Sequence, residues 1–177
     1  MELWDVYDKY RRPLGFTVKR GGKRALKEGE YHLTAHVCVF ASDGRMLVQK
    51  RVKTKALWAG LWDISASGSV LAGETGPEGA ARELYEELGI STTLSEEQPR
   101  ATFYHESCIS DYFIVRTDKR VEQIIYQQSE VAGVDYKTRE EILAMIDDGT
   151  FIPYMPSFIN MMFDMNESED RNMFRLS

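Results

Sequence analysis

The spacing of apolar and polar residues changes repeatedly along the chain, and each change marks an element. Residues 3–20 alternate loosely around Arg12-Pro13-Leu14-Gly15, which predicts a short β-hairpin. Residues 21–30 are rich in Gly, Lys, Arg and Glu and predict a loop. From 31 to 40 the pattern is apolar and β-branched, which predicts a long strand. The turn signal Ser42-Asp43-Gly44-Arg45 and a strand over 46–50 complete a second hairpin. A loop over 52–60 precedes a predicted short strand pair over 62–70. A helix then runs to Leu88, and residues 100–117 predict two strands. Residues 138–148 form an amphipathic helix, residues 153–164 a terminal helix, and the polar tail after it, over 165–177, is expected to fray. There is no internal repeat, low-complexity tract or linker. Strands interspersed with helices predict a single domain, 1–177, built as an α/β or α+β sandwich.

The central helix carries its own start and stop signals. Thr75 with Glu78 fits a capping box, Pro77 fits the first turn, and Gly89 after Leu88 fits a left-handed stop. At about 100° per residue, Glu83, Glu86 and Glu87 project from one face. Ala81, Leu84 and Leu88 are expected on another face, toward the core. Like charges at this spacing destabilise a helix by some tenths of a kcal/mol each, and solvated helix faces usually mix signs. Arg82, the basic residue of the segment, is too little to neutralise three carboxylates. A hard divalent cation would do so, and Mg²⁺ prefers such oxygen ligands. The plain alternative at this point is an acidic solvated face.

Composition narrows the classes. The chain has 177 residues, 43% of them hydrophobic and 11% aromatic, which is globular composition. A formal net charge of -6 argues against a nucleic-acid scaffold. Cys38 and Cys108 are too few for a disulfide framework and are expected as reduced thiols. No stretch reaches the ~20 apolar residues of a membrane helix, and the first residues do not read as a signal peptide. The expected location is the cytoplasm.

Gly68, five residues, Glu74, seven residues, then Arg82-Glu83-Leu84-Tyr85-Glu86-Glu87-Leu88-Gly89-Ile90 resembles the Nudix box, G-x5-E-x7-R-E-U-x-E-E-x-G-U, at every fixed position over 68–90. The resemblance implies an α/β/α sandwich with a mixed β-sheet, and hydrolysis of a diphosphate linkage in a small molecule. It implies Mg²⁺ as cofactor, with Mn²⁺ as substitute. Glu83 and Glu87 would be principal metal ligands, Glu86 a third ligand or the holder of a metal-bound water, and the carbonyl of Gly68 a further ligand. Glu74 and Arg82 would pin the loop to the helix by a salt bridge. Glu106 and Glu130 are candidates for a base from a later loop, although each is expected as an ordinary surface residue.

Leu3–Asp8, Arg12-Pro13-Leu14-Gly15, Tyr31-His32-Leu33, Gln49-Lys50-Arg51 and Trp58–Asp63 resemble the Nudix branch akin to isopentenyl-diphosphate isomerase. Ser67 stands where that branch has its catalytic cysteine and Ser69 where it has a histidine. A serine hydroxyl is far too weak an acid to replace the thiol, so hydrolysis is expected and isomerisation is the alternative. A non-catalytic binding module is the third class. His32 and His36 share a strand face, a spacing that suits a metal pair or two hydrogen-bonded strand histidines. Lys50, Arg51, Lys53 and Lys55 could hold phosphates, although as surface charges they need no function, and Trp58, Trp62, Phe103, Tyr104 and Tyr112 could stack on a base or an isoprenoid, although aromatic residues near strands are more often core. Lys50, Arg51 and Trp62 are the weak substrate-binding candidates. The expected partner is a small-molecule diphosphate, not a nucleic-acid polymer or a membrane. The N-terminal hairpin is compatible with a homodimer without requiring one.

Overall fold

A computed structural model describes residues 2–94 and 97–168. The chain divides into two compact units, one of Met1–Val37, Ala66–Glu86 and Ile90–Phe113, the other of Cys38–Ser65, Glu87–Gly89 and Ile114–Ser177.

In the first unit, β1 (Leu3–Tyr7) and β2 (Pro13–Lys19) form the antiparallel hairpin that the alternation predicts. The first part of β3 (His32–Phe40) alternates half-buried and buried positions, with Leu33, Ala35 and Val37 turned to the core. It pairs antiparallel with β6 (Ala66–Ser69), so that Gly68 lies opposite Ala35 and Ser67 opposite His36. β7 (Ala101–Tyr104) pairs with β8 (Cys108–Arg116), and β8 is also a neighbour of β3. α1 (Gly76–Leu88) begins at the predicted box. Glu78 accepts from the Thr75 backbone N–H at 2.7 Å, and Thr75 Oγ1 accepts from the Glu78 N–H at 3.4 Å. The helix stripe in the core is Ala80 and Leu84, both fully buried, rather than Ala81, which is only half-buried. Ala80, Leu84 and Leu88 are successive i,i+4 neighbours, whereas Ala81 is rotated by about 100° away from that line.

The second unit centres on β4 (Met46–Arg51), which pairs with the end of β3, with β5 (Trp62–Asp63) and with β9 (Val131–Lys137). Met46, Leu47 and Val48 are all fully buried, so this strand has apolar neighbours on both faces. β5 and β6 are not a strand pair: β5 pairs with β4 and β6 with β3. β9 was not expected, because Gly133 and Asp135 interrupt its apolar residues. α2 (Arg139–Asp147) starts on a Thr138–Glu141 capping box. α3 (Pro156–Glu167) starts at Pro156 rather than at 153; the predicted tail beyond residue 168 lies outside the described residues. Gly89 takes the left-handed φ of 61° that ends α1, and a Cβ there would also press on the Ile125 carbonyl oxygen at 2.7 Å. Cys38 is buried and Cys108 half-buried, both as free thiols. Among the described residues no helix is long and apolar enough to cross a membrane.

Candidate active site

In the first unit, the segment between β6 and α1 is folded onto the helix by one arginine. Glu74 closes a turn with Leu71: the Leu71 N–H reaches Glu74 Oε2 at 2.9 Å, and the Glu74 N–H reaches the Leu71 carbonyl at 3.0 Å. β1 holds the same turn from outside, because the Ala72 N–H donates to the Leu3 carbonyl and the Gly73 N–H to Asp5 Oδ2, each at 2.8 Å. Arg82 then makes five hydrogen bonds, as many as its guanidinium has N–H donors. Nε and Nη2 donate to the two Glu74 oxygens at 2.8 and 3.1 Å, and Nη2 donates to the Ser69 carbonyl at 2.9 Å. Nη1 donates to Glu83 Oε1 at 2.8 Å and Glu86 Oε2 at 3.1 Å.

Glu83 sits directly against Gly68. A Cβ on Gly68 would fall 2.1 Å from the Glu83 carboxyl carbon and 2.2 and 2.5 Å from its oxygens. Only the missing side chain lets the carboxylate come this close to the strand backbone. Burial raises the Glu83 pKa, and the nearby Glu86 and Glu2 charges add to it, while Arg82 pulls it down; the net direction is upward. For Glu74, burial also raises the pKa, but Arg82 and the Leu71 N–H lower it further and leave it below the ordinary value. Burial lowers the Arg82 pKa, yet its bonds to Glu74 and Glu83 win and keep it firmly charged.

In the second unit, Glu87 is only 5% exposed and accepts a hydrogen bond from Gln49 Nε2 at 2.8 Å; Gln49 is itself 1% exposed. Sequence reasoning gave Gln49 no role of its own. The available signal was a polar residue inside the apolar run of β4. Gln49 lies in register with Asp63, a second buried carboxyl, which accepts from Tyr154 Oη at 2.9 Å and from Arg51 Nη1 at 3.4 Å. Burial raises the Asp63 pKa against the lowering by Tyr154 and Arg51.

The remaining candidates are placed as follows. Lys50 Nζ lies 5.8 Å from the centre of the Trp62 ring. Arg51 donates to the Leu57 carbonyl as well as to Asp63. Lys55 is ion-paired with Glu130, and Glu106 is exposed. His32 stacks on Trp4 at 4.0 Å, and His36 stacks on Tyr112 at 4.5 Å with its Nε2 on Thr34 Oγ1 at 3.2 Å. The two histidines are thus each engaged with a different ring.

In the first unit the donors offered by Gly68, Glu83 and Glu86 are all oxygens, the kind a hard divalent cation takes; Glu87 in the second unit is also a carboxylate. Gly68 leaves a cradle in which the strand backbone and the Glu83 carboxylate lie side by side. The residues therefore fit such a cation. Among the described residues no three His, Cys, Asp or Glu side chains are gathered as a ready cage. Glu83 and Glu86 meet on Arg82, whereas Glu87 is turned to Gln49.

The family model described as "NUDIX domain" matches residues 30–155. An uncharacterized Nudix hydrolase of Listeria monocytogenes is 40% identical over 168 residues, covering 95% of this chain and 97% of that protein. A counterpart from Listeria innocua is 39% identical with the same coverage. Among solved structures, DR0079 from Deinococcus radiodurans superposes with a TM-score of 0.73 at 23% identity, covering 90% of this chain and 98% of that one.

Proposed function

The chain belongs to the Nudix family, is a Nudix hydrolase and has that family's α/β fold with a mixed β-sheet, and from that premise we propose that it cleaves the diphosphate linkage of a small molecule in which a nucleoside diphosphate is joined to another moiety, with the help of a divalent cation held by Glu83, Glu86, Glu87 and the Gly68 carbonyl. Mg²⁺ is the cation of this reading, with Mn²⁺ as substitute. The observation that supports it most directly is the Glu83 carboxylate lodged against Gly68 and clasped by Arg82. The whole chain, 1–177, acts as one catalytic domain in the cytoplasm, with no nucleic-acid polymer as partner.

Hydrolysis adds water across the anhydride: the water oxygen bonds to one phosphorus, and the bridging oxygen leaves with the other. A bound divalent cation supplies charge withdrawal from the diphosphate oxygens and a more acidic water. The chain's own residues supply position. Arg82 ties Glu74 and the Ser69 carbonyl to the helix, so the loop that carries Gly68 stays fixed to α1, and before a cation binds it also holds Glu83 and Glu86. Gln49 fixes the orientation of Glu87 by holding one of its oxygens. Isomerase chemistry is not favoured, because Ser67 and Ser69 lie opposite His36 and Thr34 and bring neither a thiol nor an imidazole to those positions.

The test is product analysis on a panel of nucleotide sugars, dinucleoside polyphosphates, nucleoside triphosphates and prenyl diphosphates, with and without Mg²⁺. Cation-dependent cleavage that disappears in Glu87→Gln with the fold retained supports the proposal. Absence of turnover across the panel would point to a binding module, and conversion of isopentenyl to dimethylallyl diphosphate would replace hydrolysis by isomerisation.

A further inference from the structure

Arg11 stands in the turn between β1 and β2 with a φ of 60°, a left-handed conformation that strains any residue with a side chain. Asp8 imposes it. Asp8 Oδ1 accepts from the Tyr10 N–H at 2.8 Å and from the Arg12 N–H at 2.9 Å, and the Asp8 carbonyl accepts from the Arg11 N–H at 2.9 Å. The turn sends the Arg11 side chain back onto the body of the first unit, to a residue 100 positions further along the chain. There Nη1 donates to Asp111 Oδ1 at 2.8 Å and Nη2 donates to Asp111 Oδ2, the two-pronged contact that suits a guanidinium and a carboxylate. Asp111 lies on β8 and is fully buried. Thr102 Oγ1, across the strand pair on β7, donates to the same Oδ1 at 2.7 Å. A carboxyl group buried this deeply is costly without such partners.

This pair forms the floor beneath the start of α1. A Cβ on Gly76, the first residue of α1, would fall 2.8 Å from Asp111 Oδ2 and 3.5 Å from Arg11 Nη2. The helix comes down on the ion pair because that residue has no side chain. The hairpin also holds the other end of the segment before α1, where the Leu3 carbonyl takes the Ala72 N–H and Asp5 Oδ2 takes the Gly73 N–H. The segment 71–76 is thus gripped at 72–73 by β1 and at 76 by the Arg11–Asp111 pair. Between the two grips stands Glu74, by which Arg82 ties the segment to α1. Arg82 in turn holds the Ser69 carbonyl, next to Gly68. β1 and β2 precede residue 30, where the family match begins, so the hairpin's part of the grip comes from outside the matched region.

We propose that Arg11 is a positioning residue of the hydrolase: by seating the hairpin turn on Asp111 beneath Gly76, it keeps the segment 71–76 clamped, so that Glu74 holds Arg82 and Arg82 holds the strand end beside Gly68. Arg11 acts through Asp111 and the segment, not on the substrate. This rests on the hydrolase reading above and extends the machinery of that site to the N-terminal hairpin.

The experiment compares the wild type with Arg11→Met and with Arg11→Met/Asp111→Asn. The single variant strands the Asp111 carboxyl in the core and is expected to melt lower. The double variant removes both charges at similar volume and is expected to melt close to the wild type. Backbone amide exchange is read without cation or substrate. In the double variant the Ala72 and Gly73 amides should exchange about tenfold faster, while the amides of α2, in the second unit, keep their wild-type rates. Equal acceleration in α2 would mean a general loosening of the protein and would overturn the proposal, as would unchanged rates at Ala72 and Gly73. Turnover is read on a diphosphate that the wild type cleaves. The double variant should lose about tenfold in kcat and need about tenfold more Mg²⁺ for half-maximal activity, with KM for the diphosphate little changed, the low end of the loss when a group supporting metal ligands is removed. Wild-type kcat and Mg²⁺ requirement in the double variant would show that the pair serves the fold alone, and would refute the proposal. A wild type without cation-dependent turnover would instead refute the hydrolase reading, and the exchange rates would still show separately whether the hairpin grips the segment.

Discussion

Replacing Gly68 with Ala separates catalysis from folding. The added methyl would lie 2.1 Å from the Glu83 carboxyl carbon, where an ordinary contact needs about 3.4 Å, so the carboxyl must retreat by about 1.3 Å. The backbone has no objection of its own, since Gly68 does not lie in the left-handed region. The clashing atoms are the far end of a flexible side chain, which swings away without moving the strand. The stability cost is then mostly the weakened Arg82–Glu83 pair, about 1 kcal/mol or less, which corresponds to a melting shift of no more than about 4 °C for a chain of this length. The catalytic cost is larger, because displacing a reacting or ligating group by about 1 Å costs roughly a hundredfold. Expected is a folded protein, judged by circular dichroism and thermal melting, with kcat/KM for a cleaved diphosphate down about a hundredfold and a higher Mg²⁺ requirement. A Gly68→Ala protein whose kcat/KM stays within threefold of wild type would show that Glu83 does not work from its seat on Gly68.

Three further expectations follow from the same geometry. Gln49→Leu leaves a buried Glu87 oxygen without its amide; stability should fall by about 1–3 kcal/mol and cation affinity by 10–100-fold, read by urea unfolding and Mg²⁺ titration, and unchanged affinity would show that Gln49 does not orient Glu87. Arg82→Lys replaces a five-donor fork by a point charge that cannot hold both Glu74 oxygens and the Ser69 carbonyl together, so activity should drop at least tenfold, whereas near-normal kinetics would show that charge alone suffices. Burial, aided by the His105 charge and opposed by Asp111, pushes the His36 pKa down from 6.5 to about 4. The unfolded chain therefore binds the extra proton first, and stability falls as pH drops from about 6.5 to 4, by about 3 kcal/mol in all. Urea melts across that range should lose this slope in His36→Gln, and an identical slope in the variant would remove His36 as its origin.

What the sequence discloses about the fold follows from how local its causes are. α1 is readable because Thr75, Glu78 and Gly89 act within a turn of the helix ends, and the structure places their hydrogen bonds and left-handed φ there. The first hairpin is readable for the same reason, since β1 and β2 are joined by a short turn. Strand partnership is different. Residues 62–70 look like a self-contained pair, yet β5 goes to β4 and β6 to β3, choices decided by segments far along the chain. β9 has Gly133 and Asp135 within it and shows no period at all; it forms because β4 offers it a partner. For the candidate site, the spacing of Glu74, Arg82, Glu83, Glu86 and Glu87 names the residues, since they lie on one helix and the loop before it. Gln49 escapes that reading, because a hydrogen bond across 38 residues leaves no local mark.

The electrostatics of α1 show how the acidic stripe is tolerated and what a bound cation would change. At i, i+3 and i+4 spacing the three carboxylates repel along the helix, and each is relieved differently. Glu87 is buried on a neutral amide, Glu83 is half-buried between Gly68 and Arg82, and Glu86 is exposed and contacted by Arg82. Arg82 carries a single positive charge, which it divides among Glu74, Glu83 and Glu86. The fold thus satisfies the geometry of these carboxylates with one positive charge among three partners; burial above all, with the Glu86 and Glu2 charges, keeps the Glu83 pKa raised despite its guanidinium partner. A divalent cation would supply the missing charge, and it would have to take Glu83 and Glu86 from the same Nη1 that now holds them. Arg82 should therefore keep its Glu74 and Ser69 bonds and release those to Glu83 and Glu86 when the cation binds. Its guanidinium resonances would report this in a Mg²⁺ titration: perturbation of the Nη1 side with the Nε side unmoved agrees with the exchange, and no perturbation would mean that the cation does not bind through these two carboxylates.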